Sequence, residues 1–536
     1  MFRKRKIARI IMIERAPQYY TAGYDGEDPR QSPLYLRALI FDGEEGEFNS
    51  RLIKEFNDYL DRENKFSENR LNLPPRKESI FPRKIIVINA SHDNLPTSYE
   101  TARIFENFCC ERKYPVKIIV VNTREELLKE LKGQERNTLV ISQCVDRKVY
   151  NTDLAEDLER KGVVVVPGKI TAPGSVFSDK DSTYQLLSKS GKYWNEVARY
   201  KKISVENKRL EEVVHGILKT IEELESEIGE KTFFVKPHEG GGGLGGFRIT
   251  KMGETYIIPD LSKVSGEAEE IHPTFIDIDV TDTAKLREIL WIYRLFASDR
   301  KLSKNYLKVN LPVFDEDEAT ALSAIKEYLS GTEEGQRRKL IGMAVSYDEA
   351  HARLVKAIGE FEKKFKKKYV PLVNEHIDFG LWGLRAHYRF SLKGPVLETM
   401  YHRIFQLGFT EEGLGYLGSD NISNKQTGDL EILRLGPVNE IMLESIGGKN
   451  SLFATLLKGA SALVDLSHLV LEEEKNRVPL RLQLDLAAVS SKIGEGNADT
   501  ARGLCLASSW PLFVRNAEQW LGDSLAYYSF KKNKKR

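Results

Sequence analysis

The chain has 536 residues, enough for about three domains of ordinary size, and it is 41% hydrophobic and 30% charged, the balance of a folded soluble protein. Its 81 basic and 79 acidic side chains leave a net charge of +2, which gives no global reason to expect nucleic acid as a partner. No apolar run reaches the roughly 18 residues of a transmembrane helix, and charges break up the opening "MFRKRKIARIIMIERAPQYY" before a signal-peptide core can form.

Cys109, Cys110, Cys144 and Cys505 show no metal-ligand spacing and suit a reducing compartment, so the expected location is cytoplasmic, with no membrane partner. The basic ends "MFRKRK" and "KKNKKR" read as solvated termini.

In chain order, residues 1–81 read as an N-terminal extension and a polar, proline-bearing linker. Short apolar β-branched runs follow at 84–91 and 116–123, then in "NTLVISQ" and at 163–168, separated by amphipathic helical stretches. Strands alternating with helices predict an open α/β domain with a parallel sheet over residues 82–175. "FSDKDSTYQLLSKSG" carries a helix-start signal at Ser178 and Asp179. A long helix is expected over about 204–228, ending at Gly229.

"FFVKPHEGGGGLGGFRIT" comes next. Glycine costs about 0.5–1 kcal/mol in an element interior, so six of them argue for a loop that another group approaches closely. The glycines satisfy G-x-G-x-x-G, but "GFRIT" is a strand pattern and no helix follows, as a dinucleotide fold needs. A P-loop would need Gly-Lys-Ser/Thr after the glycines, which is absent. The remaining reading is a glycine-rich hairpin tip whose backbone N–H groups converge on phosphate oxygens, with Lys236 adding a point charge.

Residues 255–345 carry two helical patterns and little else, and "YDEAHARLVKAIGEFEKKFKKKY" is a charged amphipathic helix. "YVPLVNEHI" reads as a strand, followed by a hairpin in which Arg385, His387 and Arg389 alternate with apolar residues. "VLETMYHRIF" adds Arg403. A strand face with several arginines is costly to bury unless anions meet it, so Arg385 and Arg403 are candidates for clamping phosphate. "LRLQLDLAAVSSKIGEGNAD" offers Asp485 on a strand and, beyond it, Glu495 and Asn497, hard oxygen ligands suited to Mg²⁺.

These segments, in this order, resemble the ATP-grasp superfamily of carboxylate–amine and carboxylate–thiol ligases, over roughly 82–250 and 369–500. Glutathione-synthetase-like and ribosomal-protein glutamate-ligase-like members are the nearest in pattern. The resemblance implies α/β and α+β architecture: a pre-ATP α/β domain over 82–175, a first ATP-grasp lobe over 176–254, an insertion over 255–345 and a second lobe over 346–530. It implies ATP and Mg²⁺ as cofactors. Lys180, Lys236, Gly241, Gly242, Gly243, Gly245 and Glu375 would bind ATP, with Glu375 near the ribose. Arg385 and Arg403 would be catalytic, and Asp485, Glu495 and Asn497 would hold the metal. The partners implied are small-molecule or peptide carboxylates and amines, with no nucleic acid, and a homo-oligomer stays open.

The chain departs from the pattern in three places. Leu384 stands where members often carry an acidic residue, and "KIGEGN" lacks the usual apolar lead-in. "GLCLASSWP" offers a second register for the metal ligands, with Ala507 and Ser509 at the ligand positions. If that register holds, the chain is a nucleotide-binding scaffold or regulator without catalysis.

Overall fold

A computed structural model describes residues 43–63, 66, 80–89, 97–142, 148–166, 179–189, 199–229, 231–238, 245–258, 274–275, 278–298, 303–304, 306–311, 317–342, 344–375, 381–391, 394–404, 407–411, 413–416, 435–470, 481–488, 501–508 and 514–533. The first described element is helix α1 (Glu44–Arg62), whose buried stripe of Leu52, Phe56 and Leu60 follows helical spacing.

The expected parallel sheet is present. Strands β1 (Lys84–Ile88), β2 (Lys117–Val121), β3 (Thr138–Ser142) and β4 (Val164–Val166) pair in the order β2-β1-β3-β4, all in parallel. Helices α2 (Thr97–Glu111), α3 (Arg124–Leu131) and α4 (Thr152–Arg160) make the crossovers. Thr123 and Asn151 cap α3 and α4 by accepting the N–H groups of Glu126 and Leu154. Because the sheet is covered on both sides, Ile85 and Val87 of β1 enter one core while Ile86 and Ile88 enter another.

A second sheet is antiparallel. It runs in the order β5-β10-β6-β7-β8, from β5 (Tyr200–Lys202), β6 (Thr232–Pro237), β7 (Phe247–Met252), β8 (Thr255–Ile257) and β10 (Pro371–Glu375). Helix α5 (Lys180–Lys189) precedes it and α6 (Leu210–Ile228) interrupts it. The helix expected from about 204 begins at Leu210 instead. Residues 200–202 are a strand paired with β10, and the Glu212 carboxylate accepts the N–H of Arg209 to start the helix there. Gly229 ends it at φ +72°, as expected.

The 255–345 segment leaves and rejoins the second sheet at one point. Its ends meet in a bridge between Tyr256 and Val345, whose N–H groups donate across at 2.9 and 2.8 Å. Between them lie β9 (Thr274–Phe275), α7 (Thr283–Ala297) and α8 (Glu318–Gly342). Helix α9 (Tyr347–Phe365) then covers the sheet beside α6, burying Val213, Ile217, Phe233, Val235, Ile358 and Phe361 together.

The third sheet holds β11 (Trp382–Ser391), β12 (Gly394–Ile404), β15 (Leu435–Gly436), β16 (Arg481–Ala488) and β17 (Ala501–Ser508), in the order β15-β12-β11-β16-β17. A smaller sheet joins β13 (Leu407–Thr410) and β14 (Gly413–Tyr416) to β9. Helices α10 (Glu440–Ser445), α11 (Gly448–Val470) and α12 (Val514–Asn533) complete the chain. The apolar stretch after 448 forms the single helix α11.

Helix α1 does the work of a missing edge strand. Asn49 donates to the Met400 carbonyl and accepts from Val438 N–H, while Asn57 pairs with both backbone groups of Leu397. Residues 1–42 lie outside the described residues.

Candidate nucleotide site

The second sheet has a helix-covered side and an opposite side. Cross-strand pairs Lys236 with Leu372, Phe234 with Asn374, Asn374 with Tyr200 and Leu372 with Lys202 share the opposite side. Helix α5 lies against this side. Asp179 starts it, its carboxylate accepting the Asp181 N–H at 3.1 Å and the Ser182 hydroxyl at 2.6 Å.

Lys180, the first residue of α5, is stitched to the end of β6. Its N–H donates to the His238 carbonyl at 3.3 Å and its Nζ to the Pro237 carbonyl at 3.4 Å. Lys236 of β6 donates from Nζ to the Tyr184 hydroxyl at 2.8 Å. The structure therefore brings Lys180 and Lys236 together at the strand end where the glycine run begins.

Gly241, Gly242 and Gly243 lie outside the described residues. Gly245, the fifth of the six glycines, stands at φ +77°, its carbonyl accepting the Tyr369 hydroxyl at 2.5 Å. A Cβ there would meet Phe361 at 2.9 Å and Tyr369 at 3.2 Å, so both conformation and space require glycine.

Asp181 and its partners were not singled out from sequence. Its carboxylate accepts from Lys202 at 2.8 Å, Tyr200 at 2.9 Å and Gln185 at 3.1 Å. Burial works to raise it, but these bonds outweigh burial and hold the carboxyl below the usual range. Burial first, and then the bond to Asp181, pushes the Tyr200 phenol well up. The i, i+4 spacing of Lys180 with Tyr184, and of Asp181 with Gln185, was the available signal.

Glu375 departs from expectation. It pairs with Phe233, one residue out of phase with Lys236, and so shares the helix-covered side. Its carboxylate accepts the Arg199 N–H at 3.2 Å, and its own N–H donates to the Arg199 carbonyl. Glu375 thus ties β5 to β10. The residue on the Lys236 side is its neighbour Asn374, 2% exposed. Asn374 Nδ2 donates to the carbonyls of Phe234 at 3.1 Å and Leu372 at 3.2 Å. Two acceptors fix the amide's orientation, and Oδ1 is left buried without a hydrogen-bond partner among the described residues.

Arg385 and Arg403 stand on the third sheet. Arg385 pairs with Tyr401 and Arg403 with Gly383, so the two arginines are diagonal neighbours on one side. Buried His387 and Tyr401 share that side and a 3.2 Å hydrogen bond. The apolar partners Leu384, Ala386 and Tyr388 face the main core, as expected. Arg389 is different: it binds the Glu398 carboxylate at 2.7 Å and Asp523 of α12. Two carboxylates meet this guanidinium, so it needs no phosphate. His402 is buried, its Nδ1–H donating to the Pro437 carbonyl at 2.9 Å and its ring packed edge-on against Trp291, a structural role.

Asp485 pairs in register with Arg385 on one side and Cys505 on the other. Glu495 and Asn497 lie outside the described residues. The strand beside Asp485 is Ala501–Ser508, which sets Ala507 opposite Gln483. Cysteine and alanine are not the hard oxygen donors that Mg²⁺ takes, so the described residues do not make up a magnesium set.

No family model and no curated protein matches the chain. Among solved structures it is similar to a D-alanine–D-alanine ligase from Bacillus anthracis, at 11% identity and TM-score 0.37 over 85% of this chain and 99% of that one. It is also similar to the VanG D-Ala:D-Ser ligase from Enterococcus faecalis, at 11% identity and TM-score 0.40 over 83% and 99%. A third likeness is to the ADP complex of purK, an N5-carboxyaminoimidazole ribonucleotide synthetase, at 11% identity and TM-score 0.34 over 80% and 71%.

Proposed function

We propose that the chain is an ATP-dependent ligase of the ATP-grasp type, which activates a carboxylate as an acyl phosphate and joins it to an amine or a thiol. The observation that carries the reading is the convergence of Lys180 and Lys236 where the glycine run leaves β6. Ammonium groups suit a triphosphate, and glycine N–H groups, unobstructed by Cβ, add to the grip. On the same side, Asn374 Oδ1 calls for an N–H donor, which the exocyclic amine of adenine supplies.

In this reading the substrate carboxylate attacks the terminal phosphate, giving acyl phosphate and ADP. The amine then attacks the acyl carbon, the C–O bond to phosphate breaks, and the amine's proton is lost to solvent. Both steps build negative charge on oxygen, and fixed cations aimed at that charge are the main catalytic device. Lys180 and Lys236 hold the nucleotide. Arg385 and Arg403 meet the transferring phosphoryl group and the tetrahedral oxyanion. The glycine segment covers the phosphates and excludes water, which would otherwise hydrolyse the acyl phosphate.

One observation supports a second reading, a nucleotide-binding scaffold without turnover: Cys505 and Ala507 occupy the strand beside Asp485. An assay of ADP release from ATP, with magnesium and a mixed amino-acid pool, separates the two. ADP formed only when acid and amine are present supports the ligase. Bound nucleotide without ADP supports the scaffold.

A further inference from the structure

We infer that Tyr184 is a positioning residue for Lys236, holding its ammonium group ready for the nucleotide's phosphates; this rests on the nucleotide reading above. Lys236 reaches its site on a flexible four-carbon stem, whose rotamer freedom is lost when its ammonium group is fixed. Its Nζ is fixed by a 2.8 Å bond to the Tyr184 hydroxyl and lies 5.1 Å from the Tyr184 ring centroid and 6.0 Å from that of Phe234.

Tyr184 is itself held. It is buried, its ring packs 5.1 Å from that of Tyr200, and the Tyr200 hydroxyl donates to Asp181, which also takes Lys202. Lys180 and Tyr184 lie one turn apart on α5, so a single helix face presents one lysine to the end of β6 and the anchor for the other. An ammonium group already in place loses less freedom when phosphate arrives.

Tyr184→Phe keeps the ring against Tyr200 and removes only the oxygen. Calorimetric titration of the full chain with ATP and with adenosine, magnesium present, reads the effect. The expected result is ATP affinity lowered about ten- to a hundredfold, the range of a hydrogen bond to a charged group, with adenosine affinity unchanged. Equal loss for both ligands marks a merely structural residue and overturns the inference. Unchanged or tighter ATP binding overturns it too, because the phenol would then be idle or a competitor. In the Lys236→Met background, Tyr184→Phe is expected to add no further loss, and additive losses contradict the coupling. If wild-type chain binds no ATP, the underlying reading falls with it. If Lys236→Met weakens ATP and Tyr184→Phe does not, this inference alone fails.

Discussion

Asn374 is the residue whose environment asks most plainly for a ligand. An acceptor left buried without a partner costs about 1–3 kcal/mol, and its amide cannot flip because Nδ2 serves two carbonyls. Asn374→Leu keeps the volume and removes the unmatched oxygen. The expected outcome is a thermal stability within about 1 kcal/mol of wild type with ATP affinity lowered at least about tenfold, the scale of one hydrogen bond read by a site built for it. Melting curves and ATP titration check this together. Asp181 gives a pH signature. Its folded-state value is held below its unfolded one, so its contribution is complete at neutral pH and is lost as pH falls through the depressed folded value. Below about pH 5, Asp181→Asn should therefore lose stability less steeply than wild type, as denaturant melts across that range would record. Neither residue stood out in the sequence. Asn374 hid because the acidic neighbour Glu375 drew the functional reading, and only the register with β6 shows which of the two shares a side with Lys236.

At the scale of elements, α5 and α12 tie the sheets together. Helix α5 lies on the second sheet through Lys180, Asp181 and Tyr184 and also touches β17 and α11. Helix α12 packs on α2 and β4, and its Asp523 reaches Arg389 on β11. The Arg389 side chain is 11% exposed and that of Glu398 1%, so this is a buried charge cluster. Burial raises the Asp523 carboxyl against the pull of Arg389. Arg389→Met strands both carboxylates, and a loss of about 3–5 kcal/mol is expected by chemical denaturation. Restoring neutrality with Glu398→Gln and Asp523→Asn should recover a large part of it. The sequence pattern places Arg389 only on the same strand face as Arg385, because alternation reports a side and not a partner. The partner lies 134 residues away on α12, and nothing local announces it.

Across the whole molecule, the parallel sheet was the most legible part. Its strands are continuous β-branched runs between capped helices, and local pattern suffices when a strand is buried on both faces. The start of α6 was less legible, because 200–202 is too short and too charged to read as a strand without β10 beside it. Helix α1 lay in a stretch with no clear pattern, yet it packs into the main core through Leu52, Phe56 and Leu60. Among the described residues no helix is long and apolar enough to cross a membrane. Of the expected site, Lys180 and Lys236 both bond across the contact between α5 and β6, Gly245 packs against Phe361 and Tyr369, Glu375 turns to the helix-covered side of its sheet, and Arg385 and Arg403 share a side of another sheet.

The central claim is that a nucleotide's phosphates lie at the end of β6 between Lys180 and Lys236. Calorimetric titration of wild-type chain and Lys236→Met with ATP and magnesium tests it most directly. The account predicts saturable binding to wild type, weakened at least about tenfold by the substitution, the scale of a lost charge-assisted contact. No binding by folded wild-type chain, or equal affinity in the two proteins, would contradict it.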